Sequence, residues 1–262
     1  MIRALRTAAT GMFAQELFVD TIANNLANVN TTGFKKAKVE FQDLLYETNR
    51  AIGATNAQGT TIPAEIQIGH GTNPVSVQKM FSQGDINNTE NPLDLAIDGN
   101  GFFQVVRGDG TLAYTRDGTF KVSSDGRLVT SDGLLLEPEV QLPQETTEIN
   151  ISLDGVISAR LAGETEPQEV GQIQLARFIN PAGLESMGGN LYLPTVSSGE
   201  ALVSNPGTDG TGTIRQGFAE MSNVQVVEEM VAMIVAQRAY EINSKTIMTV
   251  EEMLRTATNI SR

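Results

Sequence analysis

The sequence of 262 residues contains no cysteine, no tryptophan and a single histidine. The absence of cysteine excludes disulfide bonds, thiolate metal sites and cysteine nucleophiles. His70 alone cannot form a multi-histidine zinc site, and it leaves little for acid–base chemistry near neutral pH. Aromatic residues make up only 5% of the chain against 40% hydrophobic residues, so aliphatic side chains must supply most of the core.

Long apolar runs are also absent, since no segment reaches the roughly 18 consecutive apolar residues of a membrane span. Two arginines precede an apolar stretch at the N-terminus, as they would in a signal peptide. Polar residues interrupt that stretch, namely Gln15, Glu16 and Asp20, and no small-residue cleavage site follows it. We therefore expect a helix of the mature protein, and we expect any export to proceed without a cleaved signal peptide.

The formal net charge of −13 is concentrated in the middle of the chain. Residues 1–45 carry five basic and four acidic side chains, and residues 222–262 carry four basic and five acidic ones. The whole excess of negative charge therefore lies in residues 46–221. This distribution indicates a solvated acidic middle between neutral ends that associate closely, and it argues against a nucleic acid partner.

Both ends of the chain have the periodicity of long amphipathic helices. In residues 2–30, apolar side chains recur at spacings of three and four, and Gly33 is the predicted C-terminal cap. In residues 222–260 the apolar side chains form two stripes, after good N-cap residue types at Ser222-Asn223. A helix that is apolar on two faces has two partners. We expect these to be the other terminal helix and a neighbouring subunit, with burial in a single globular domain as the alternative.

Between the helices, the sequence predicts β structure. Residues 34–46 and 62–70 alternate apolar and polar side chains and predict a paired hairpin arm, with a helix over 35–47 as the alternative. Beyond residue 74, Asp-Gly pairs recur between short apolar runs, which is typical of tight turns in a meander of strands. The spacing of these pairs matches no calcium loop, and Gly99-Asn100-Gly101 lacks the third glycine of a dinucleotide loop. No cofactor or metal is expected.

Five segments carry a resemblance that covers essentially the whole chain. Residues 23–36 (ANNLANVNTTGFKK) resemble the N-terminal signature of bacterial flagellar rod and hook proteins. Residues 222–230 (SNVQVVEEM) and 234–245 (IVAQRAYEINSK) resemble their C-terminal signature. Residues 91–103 (NPLDLAIDGNGFF) and 114–120 (YTRDGTF) resemble their shared β domain.

The resemblance implies an α+β fold in three parts. Residues 1–33 with 222–262 would form a discontinuous helical polymerisation domain, in which the terminal helices make an antiparallel coiled-coil-like core. Residues 34–73 would form an extended β-hairpin arm or linker, and residues 74–221 a mainly β outer domain. Within the family, the length and the stretch 46–66 favour a distal rod subunit over a proximal rod or hook subunit.

The site residues implied by this assignment are structural rather than catalytic. The expected subunit interface comprises Leu5, Met12, Val19, Asn24, Asn25, Leu26, Asn28, Val227, Met230, Ile234, Arg238, Tyr240, Asn243, Ile247 and Leu254. The asparagine cluster would supply amide groups between packed helices, with simple fraying of the helix end as the alternative. The rod-specific arm is expected at Gln58, Gly59, Thr60, Ile62 and Pro63.

The function implied by the resemblance is that of a non-enzymatic subunit of a rigid helical tube, which carries torque across the periplasm to the hook. The expected partners are further copies of the chain, proximal rod proteins, the hook protein, the bushing rings and the flagellar export apparatus. Nucleic acid and direct membrane insertion are not expected. A cell-wall hydrolase that uses acidic residues of the β domain is the remote alternative.

Overall fold

A computed structural model describes residues 2–50, 66–143, 146–162 and 166–260. In these residues a long helix lies at each end, α1 over Ile2–Ala27 and α2 over Val226–Ile260, and a short 3-10 turn covers Pro181–Gly183. The segments between the helices are strands, which makes the fold α+β. The strands are β1 Ala37–Asp43, β2 Tyr46–Arg50, β3 Ile66–Gly69, β4 Thr72–Lys79, β5 Ile86–Asn88, β6 Leu95–Asp98, β7 Phe102–Val106, β8 Leu112–Thr115, β9 Lys121–Val122, β10 Leu128–Val129, β11 Leu135–Glu137, β12 Thr146–Ile151, β13 Val156–Leu161, β14 Gln168–Gln172, β15 Leu175–Arg177, β16 Glu185–Gly188, β17 Leu191–Leu193, β18 Leu202–Ser204, β19 Thr213–Gln216 and β20 Phe218–Glu220.

The chain divides into two compact units that each combine separate stretches of sequence. The helical unit comprises Met1–Leu26, Ala37–Gln78 and Val226–Arg262, so it holds both helices and strands β1 to β4. The strand unit comprises Ala27–Lys36 and Lys79–Gln225, and it holds the remaining strands.

Both helix boundaries differ from those predicted. Helix α1 ends at Ala27, and Gly33, with its left-handed φ of 67°, lies in the turn beyond it rather than at its cap. Helix α2 begins at Val226 rather than after Ser222-Asn223. The Asn223 amide instead donates to the backbone carbonyls of Met80 and Ser82, at 2.8 and 3.1 Å, so it fixes a strand connection.

The predicted pairing of residues 34–46 with 62–70 is corrected in part. Strand β2 does pair with β3, with Tyr46 opposite Gly69. Strand β1, however, pairs with β4, which begins at Thr72, beyond the predicted segment. Strand formation over Ala37–Asp43 also excludes the alternative helix over residues 35–47. Two successive short ladders therefore replace one long hairpin.

The strand unit is built on a branched antiparallel sheet in the order β16-β17-β8-β7-β11-β10-β9, with β15 pairing both β7 and β18. A three-stranded sheet follows the order β12-β13-β14, and two-stranded ladders join β19 to β6 and β20 to β5. The aliphatic core contains Ile97, Leu136, Ile157 and Leu175 among its fully buried members. A second core is mainly aromatic, and it contains Phe102, Tyr114, Phe178 and Tyr192.

The Asp-Gly pairs behave as the sequence predicts, with one exception. Six of their seven glycines have φ between 77° and 117°, the left-handed region that tight turns require. Gly118 is the exception, because it lies beside β6 and its carbonyl accepts a hydrogen bond from Leu95 N at 3.0 Å. A Cβ at Gly118 would lie against the Leu95 carbonyl oxygen, so close backbone approach requires glycine there.

Candidate assembly surfaces

Helix α2 has a buried line and an exposed apolar face on opposite sides. Ala236 and Val250 are buried, and Asn243 between them is half-buried, which places one line at a spacing of seven residues. At about 100° per residue, Val227 lies about half a turn from Ala236. Val227 is 75% exposed and Ile234, on the same side, is 56% exposed. A helix with this arrangement can pack within its own unit and still present apolar surface outward.

The residues predicted on α2 fall on both sides of it. Val227, Met230, Ile234 and Tyr240 are exposed. Arg238 is also exposed, and its Nη1 donates to Glu241 Oε2 at 3.0 Å. In contrast, Asn243, Ile247 and Leu254 are half-buried along the inner side. The first predicted stripe comprises Val224, Val227, Val231 and Ile234. Its three helical members are exposed, whereas Val224, before the helix, is buried, and the second stripe divides between the two sides.

Helix α1 buries a line next to the one that the sequence predicts. The spacing of three and four predicts a stripe through Ile2, Leu5, Ala9, Met12, Val19, Ala23 and Leu26. Ala8, Ile22 and Asn25 are buried instead, whereas Ala9 and Ala23 are exposed. The interface residues predicted on that stripe lie at its edge and are half-buried, namely Leu5, Met12, Val19 and Leu26.

Strands β1 and β4 hold the buried side of α1 within the helical unit. The Phe18 ring meets the Phe41 ring edge to face, with 6.1 Å between centroids. Near the N-terminus, Arg3 Nη2 donates to Glu47 Oε1 at 2.8 Å. Thr10 Oγ1 accepts a hydrogen bond from Thr72 N at 3.4 Å. These strands determine which side of α1 is buried. The periodicity of α1 alone does not reveal them.

The asparagines at the end of α1 have different environments. Asn25 is 2% exposed, and its amide bonds both peptide groups of Ala37, donating to the carbonyl at 2.9 Å and accepting from N–H at 2.8 Å. It also donates to Glu229 Oε2 of α2 at 3.3 Å. Asn24 is exposed, whereas Asn28 is half-buried and accepts a hydrogen bond from Thr31. Asn25 thus fixes α1, β1 and α2 together, which fraying of the helix end would not do.

In the described residues, α1 and α2 approach each other closely at two positions that run in opposite directions along the helices. Asn25 meets Glu229, and a Cβ placed on Gly11 would lie 2.8 Å from Asn243 Nδ2. The residue number falls by 14 on α1 and rises by 14 on α2 between these contacts. The two helices are therefore antiparallel, and Gly11 lets them approach closely.

An open groove of about 380 Å³ runs beside the helix contact. It is lined by Glu16, Val19, Asp20, Gln237, Tyr240 and Glu241. Glu16, which interrupts the predicted apolar stripe, is therefore one of three carboxylates along this groove rather than a defect of the helix.

Exposed apolar side chains also line the strands of the helical unit. Val75 and Val77 on β4 are 56% and 50% exposed, and Phe41 on β1 is 40% exposed. Sequence reasoning placed β structure here but nominated none of these residues as interface. The alternation of apolar residues in β4 is the signal that would have found them. The predicted rod-specific arm, with Gln58, Gly59, Thr60, Ile62 and Pro63, lies outside the described residues.

A buried ion cluster in the strand unit joins the segment after α1 to the segment before α2. Lys35 and Glu220 are both buried, and Lys35 Nζ donates to Glu220 Oε1 at 2.6 Å. Lys35 Nζ also donates to the Ser82 carbonyl at 2.7 Å, and Gly84 N donates to Glu220 Oε1 at 2.9 Å. The motif residues that flank the helices thus meet inside the strand unit.

Arg116 completes this cluster from the meander. Its Nη2 donates to the Gly99 carbonyl at 2.8 Å, and its Nη1 lies 3.4 Å from Glu220 Oε2. Burial lowers the pKa of both the Arg116 guanidinium and the Lys35 ammonium, and the neighbouring Glu220 carboxylate opposes that effect. The sequence analysis did not select these residues, although each is a charged residue in or beside an apolar motif.

In the described part of the chain, no three histidine, aspartate or glutamate side chains come together as metal ligands. Within the same residues, no helix combines the length and apolar character that crossing a membrane requires.

Comparison with known proteins gives the family. Three family models match: flagella basal body rod protein over residues 5–35, flagellar hook protein FlgE/F/G D1 domain over 96–159, and flagellar basal body rod FlgEFG protein C-terminal over 215–260. The flagellar basal-body rod protein FlgG of Borreliella burgdorferi is 51% identical over 264 residues, covering 100% of both chains. The FlgG proteins of Caulobacter vibrioides and Bacillus subtilis are 46% and 40% identical, covering 99% and 100% of both chains.

The chain belongs to the flagellar basal-body rod protein family. It is a structural subunit of the distal rod, as the sequence analysis predicted. The family is a structural one whose members assemble with other rod and hook components of the flagellum. The exposed apolar faces of this rod subunit are therefore candidate assembly surfaces.

Proposed function

We propose that the rod subunit polymerises through the outward sides of its terminal helices into a rigid helical tube that transmits motor torque to the hook. The observation that carries this proposal is the apolar side of α2 opposite its buried line. There, Val227, Val231 and Ile234 are each more than half exposed. Contiguous exposed apolar surface of this kind marks an interaction site.

The antiparallel helix pair is the proposed polymerising core. The Asn25–Glu229 and Gly11–Asn243 contacts support an antiparallel coiled-coil-like arrangement of α1 and α2. We retain the division into a helical domain (residues 1–33 with 222–262), an arm (34–73) and a β outer domain (74–221).

The interface proposal keeps the predicted residues but assigns them different tasks. Exposed Val227, Met230, Ile234 and Tyr240 would contact neighbouring subunits directly. The half-buried positions would shape the helix pair that presents them, and this set comprises Leu5, Met12, Val19, Leu26, Asn28, Asn243, Ile247 and Leu254. Asn25 would fix the arm to both helices. Asn24 and Arg238 would lie at the rim of the contact.

The proposed arm would brace adjacent subunits and stiffen the tube. Exposed Phe41 on β1 provides apolar surface for this contact, and Val75 and Val77 on the paired strand β4 continue that surface just beyond the arm. Deletion of residues 46–66 should leave subunits that still export but build a flexible rod. A rod of unchanged stiffness after this deletion would contradict the bracing role.

We further propose that the subunit occupies the periplasmic rod and has no catalytic activity. Its proposed partners are proximal rod proteins, the hook protein, the bushing rings and the export apparatus. Helix α1 would remain in the exported protein, because Asn25 and Ile22 are packed in the folded unit. Mass spectrometry of rods should then detect the N-terminal peptide, and purified subunits should release nothing from peptidoglycan.

The central experiment replaces one outward-facing residue. Ile234→Asp should raise the critical concentration for polymerisation by at least about tenfold, because burial of such a side chain contributes ~1.5–3 kcal/mol. Polymer mass is measured by sedimentation of the full chain, and circular dichroism checks that the monomer keeps its helices.

Two matched variants control this experiment. Thr256→Asp adds the same charge at another exposed position of α2, and Ile234→Met keeps an apolar side chain. Both should polymerise nearly as the natural chain does. Normal polymerisation of Ile234→Asp would refute the role of this surface.

A further inference from the structure

A positively charged cavity of about 270 Å³ lies in the strand unit beside the buried ion cluster. Two arginines and one asparagine are among the residues that line it, namely Arg116, Arg177 and Asn100. The rings of Phe81, Phe102 and Phe178 provide apolar walls. None of the described residues that line it is acidic, which is unusual in a chain with a net charge of −13.

The positive charges beside this cavity outnumber the negative charges that neutralise them. Lys35 and Arg116 share the single carboxylate of Glu220, so the buried cluster carries one net positive charge. Arg116 is 3% exposed, and its Nε and Nη1 atoms have no hydrogen-bond partner among the described residues. Buried donors without an acceptor are unfavourable. These two atoms are shielded from solvent, and Nη1 lies 3.4 Å from Glu220 Oε2, so the cluster favours an anion in the cavity through its net charge rather than through a direct hydrogen bond.

A carboxylate is the anion whose shape matches this wall. Guanidinium groups bind carboxylates through paired, charge-assisted hydrogen bonds, and the amide of Asn100 adds a further donor. The aromatic rings would contact the methylene groups of an aspartate or glutamate side chain.

We propose that this cavity binds the carboxylate of an aspartate or glutamate side chain presented by a second copy of the chain. The choice of partner rests on the proposed polymerisation, in which each subunit meets others of the same sequence. The chain carries 31 acidic residues against 18 basic ones, so a neighbouring copy presents many carboxylates to a basic cavity. This contact would connect strand units in addition to the helical interface.

The cavity itself is tested on the monomer with propionate, which mimics the end of a glutamate side chain. In a nuclear magnetic resonance titration of the full chain, propionate should shift the amide signals of Gly101, Phe102 and Phe178 saturably. We expect a Kd on the order of 10 mM for so small a ligand. Arg177→Gln should weaken propionate binding at least about fivefold, because it removes one guanidinium group. Arg160→Gln, which removes an exposed arginine of β13, should leave binding unchanged.

Three results would overturn the cavity proposal: no saturable shift at these amides, an equal effect of chloride at the same ionic strength, or an equal loss from Arg160→Gln. None of them depends on polymerisation, so the propionate titration stays informative if the natural chain fails to polymerise. That failure would instead count against the proposed function.

The source of the carboxylate is tested in the polymer. Arg177→Glu should raise the critical concentration at least about fivefold, because it places a carboxylate where the neighbour's carboxylate would bind. Arg160→Glu should change it little. If propionate binds the monomer but Arg177→Glu polymerises as Arg160→Glu does, the cavity binds a free carboxylate and the second-copy proposal is wrong.

Discussion

Three charged side chains show how single residues tie distant segments of this rod subunit together. Lys35 follows α1, Glu220 precedes α2 and Arg116 lies in the meander, yet all three are buried side by side. Their attraction does not simply add stability, because each charge has lost its hydration. Removing Glu220 is nevertheless costly, since Lys35 and Arg116 would remain buried without a counter-charge.

Glu220→Gln tests this coupling. The change leaves Lys35 and Arg116 without their shared carboxylate and should lower the free energy of unfolding by about 3–5 kcal/mol. Urea unfolding of the full chain measures the loss. Glu148→Gln removes the partner of Arg160 in an exposed ion pair and should cost less than about 1 kcal/mol. Equal losses in the two variants would show that the buried cluster has no special role.

Tyr192 makes the strand unit sensitive to alkaline pH. Its phenol is 3% exposed, and burial raises its pKa from 10.0 to about 12. The stability that comes from keeping this phenol protonated is complete below pH 10 and is lost as the pH rises through 12. The loss amounts to about 2–3 kcal/mol, because the unfolded chain releases the proton first.

Tyr192→Phe should therefore unfold less readily than the natural chain near pH 12 and similarly at pH 7. The phenol makes no hydrogen bond to the described residues, so little is lost at neutral pH. Urea unfolding at a series of pH values measures the difference. Tyr240→Phe, at an exposed position of α2, controls for the removal of a tyrosine. An unchanged alkaline slope in Tyr192→Phe would contradict the prediction.

At the scale of elements, helical periodicity predicts that a helix forms but not which side it buries. The α1 stripe through Leu5, Met12 and Val19 is apolar, yet the line through Ala8, Ile22 and Asn25 is the one buried. The reason is that β1 and β4 contact α1 through Phe41 and Thr72, and small or polar residues there allow close approach. Side-chain size and the geometry of the neighbouring strands decided which side of α1 is buried. The spacing of apolar residues along the sequence reports neither.

Gly11→Leu probes the approach of α1 to α2. A Cβ at this position lies 2.8 Å from Asn243 Nδ2, so the Asn243 side chain would have to move, and the longer leucine side chain would extend further against α2. We expect a loss of about 1–3 kcal/mol and faster amide exchange in both helices, with the strand unit unchanged. Ala9→Leu adds the same bulk at an exposed position of α1 and should have little effect. Unaltered exchange in Gly11→Leu would disprove close packing here.

At the scale of the whole molecule, the two compact units differ in how well they bury apolar residues. The strand unit has two internal cores, and Phe103, Ile97 and Leu175 in it have essentially no exposed surface. The helical unit leaves Val227, Val235 and many similar residues exposed. A unit with so few enclosed contacts depends on further partners for its stability.

Hydrogen exchange should report this difference directly. In a proven monomer, the amides of α1 and α2 should exchange faster than those of β7 and β8, and polymerisation should slow the helices most. Mass spectrometry of monomer and polymer measures both states. Strong protection of both helices in the monomer would contradict the dependence on partners.

The sequence by itself determined the α+β class, the two terminal helices, the turn glycines and the family, because periodicity and local turn chemistry are short-range properties. Only the tertiary structure decided that β1 pairs with β4, which side of α1 is buried, and that Lys35, Arg116 and Glu220 meet. These features join residues far apart in the chain, and they depend on shape and desolvation, which act only when the segments come together.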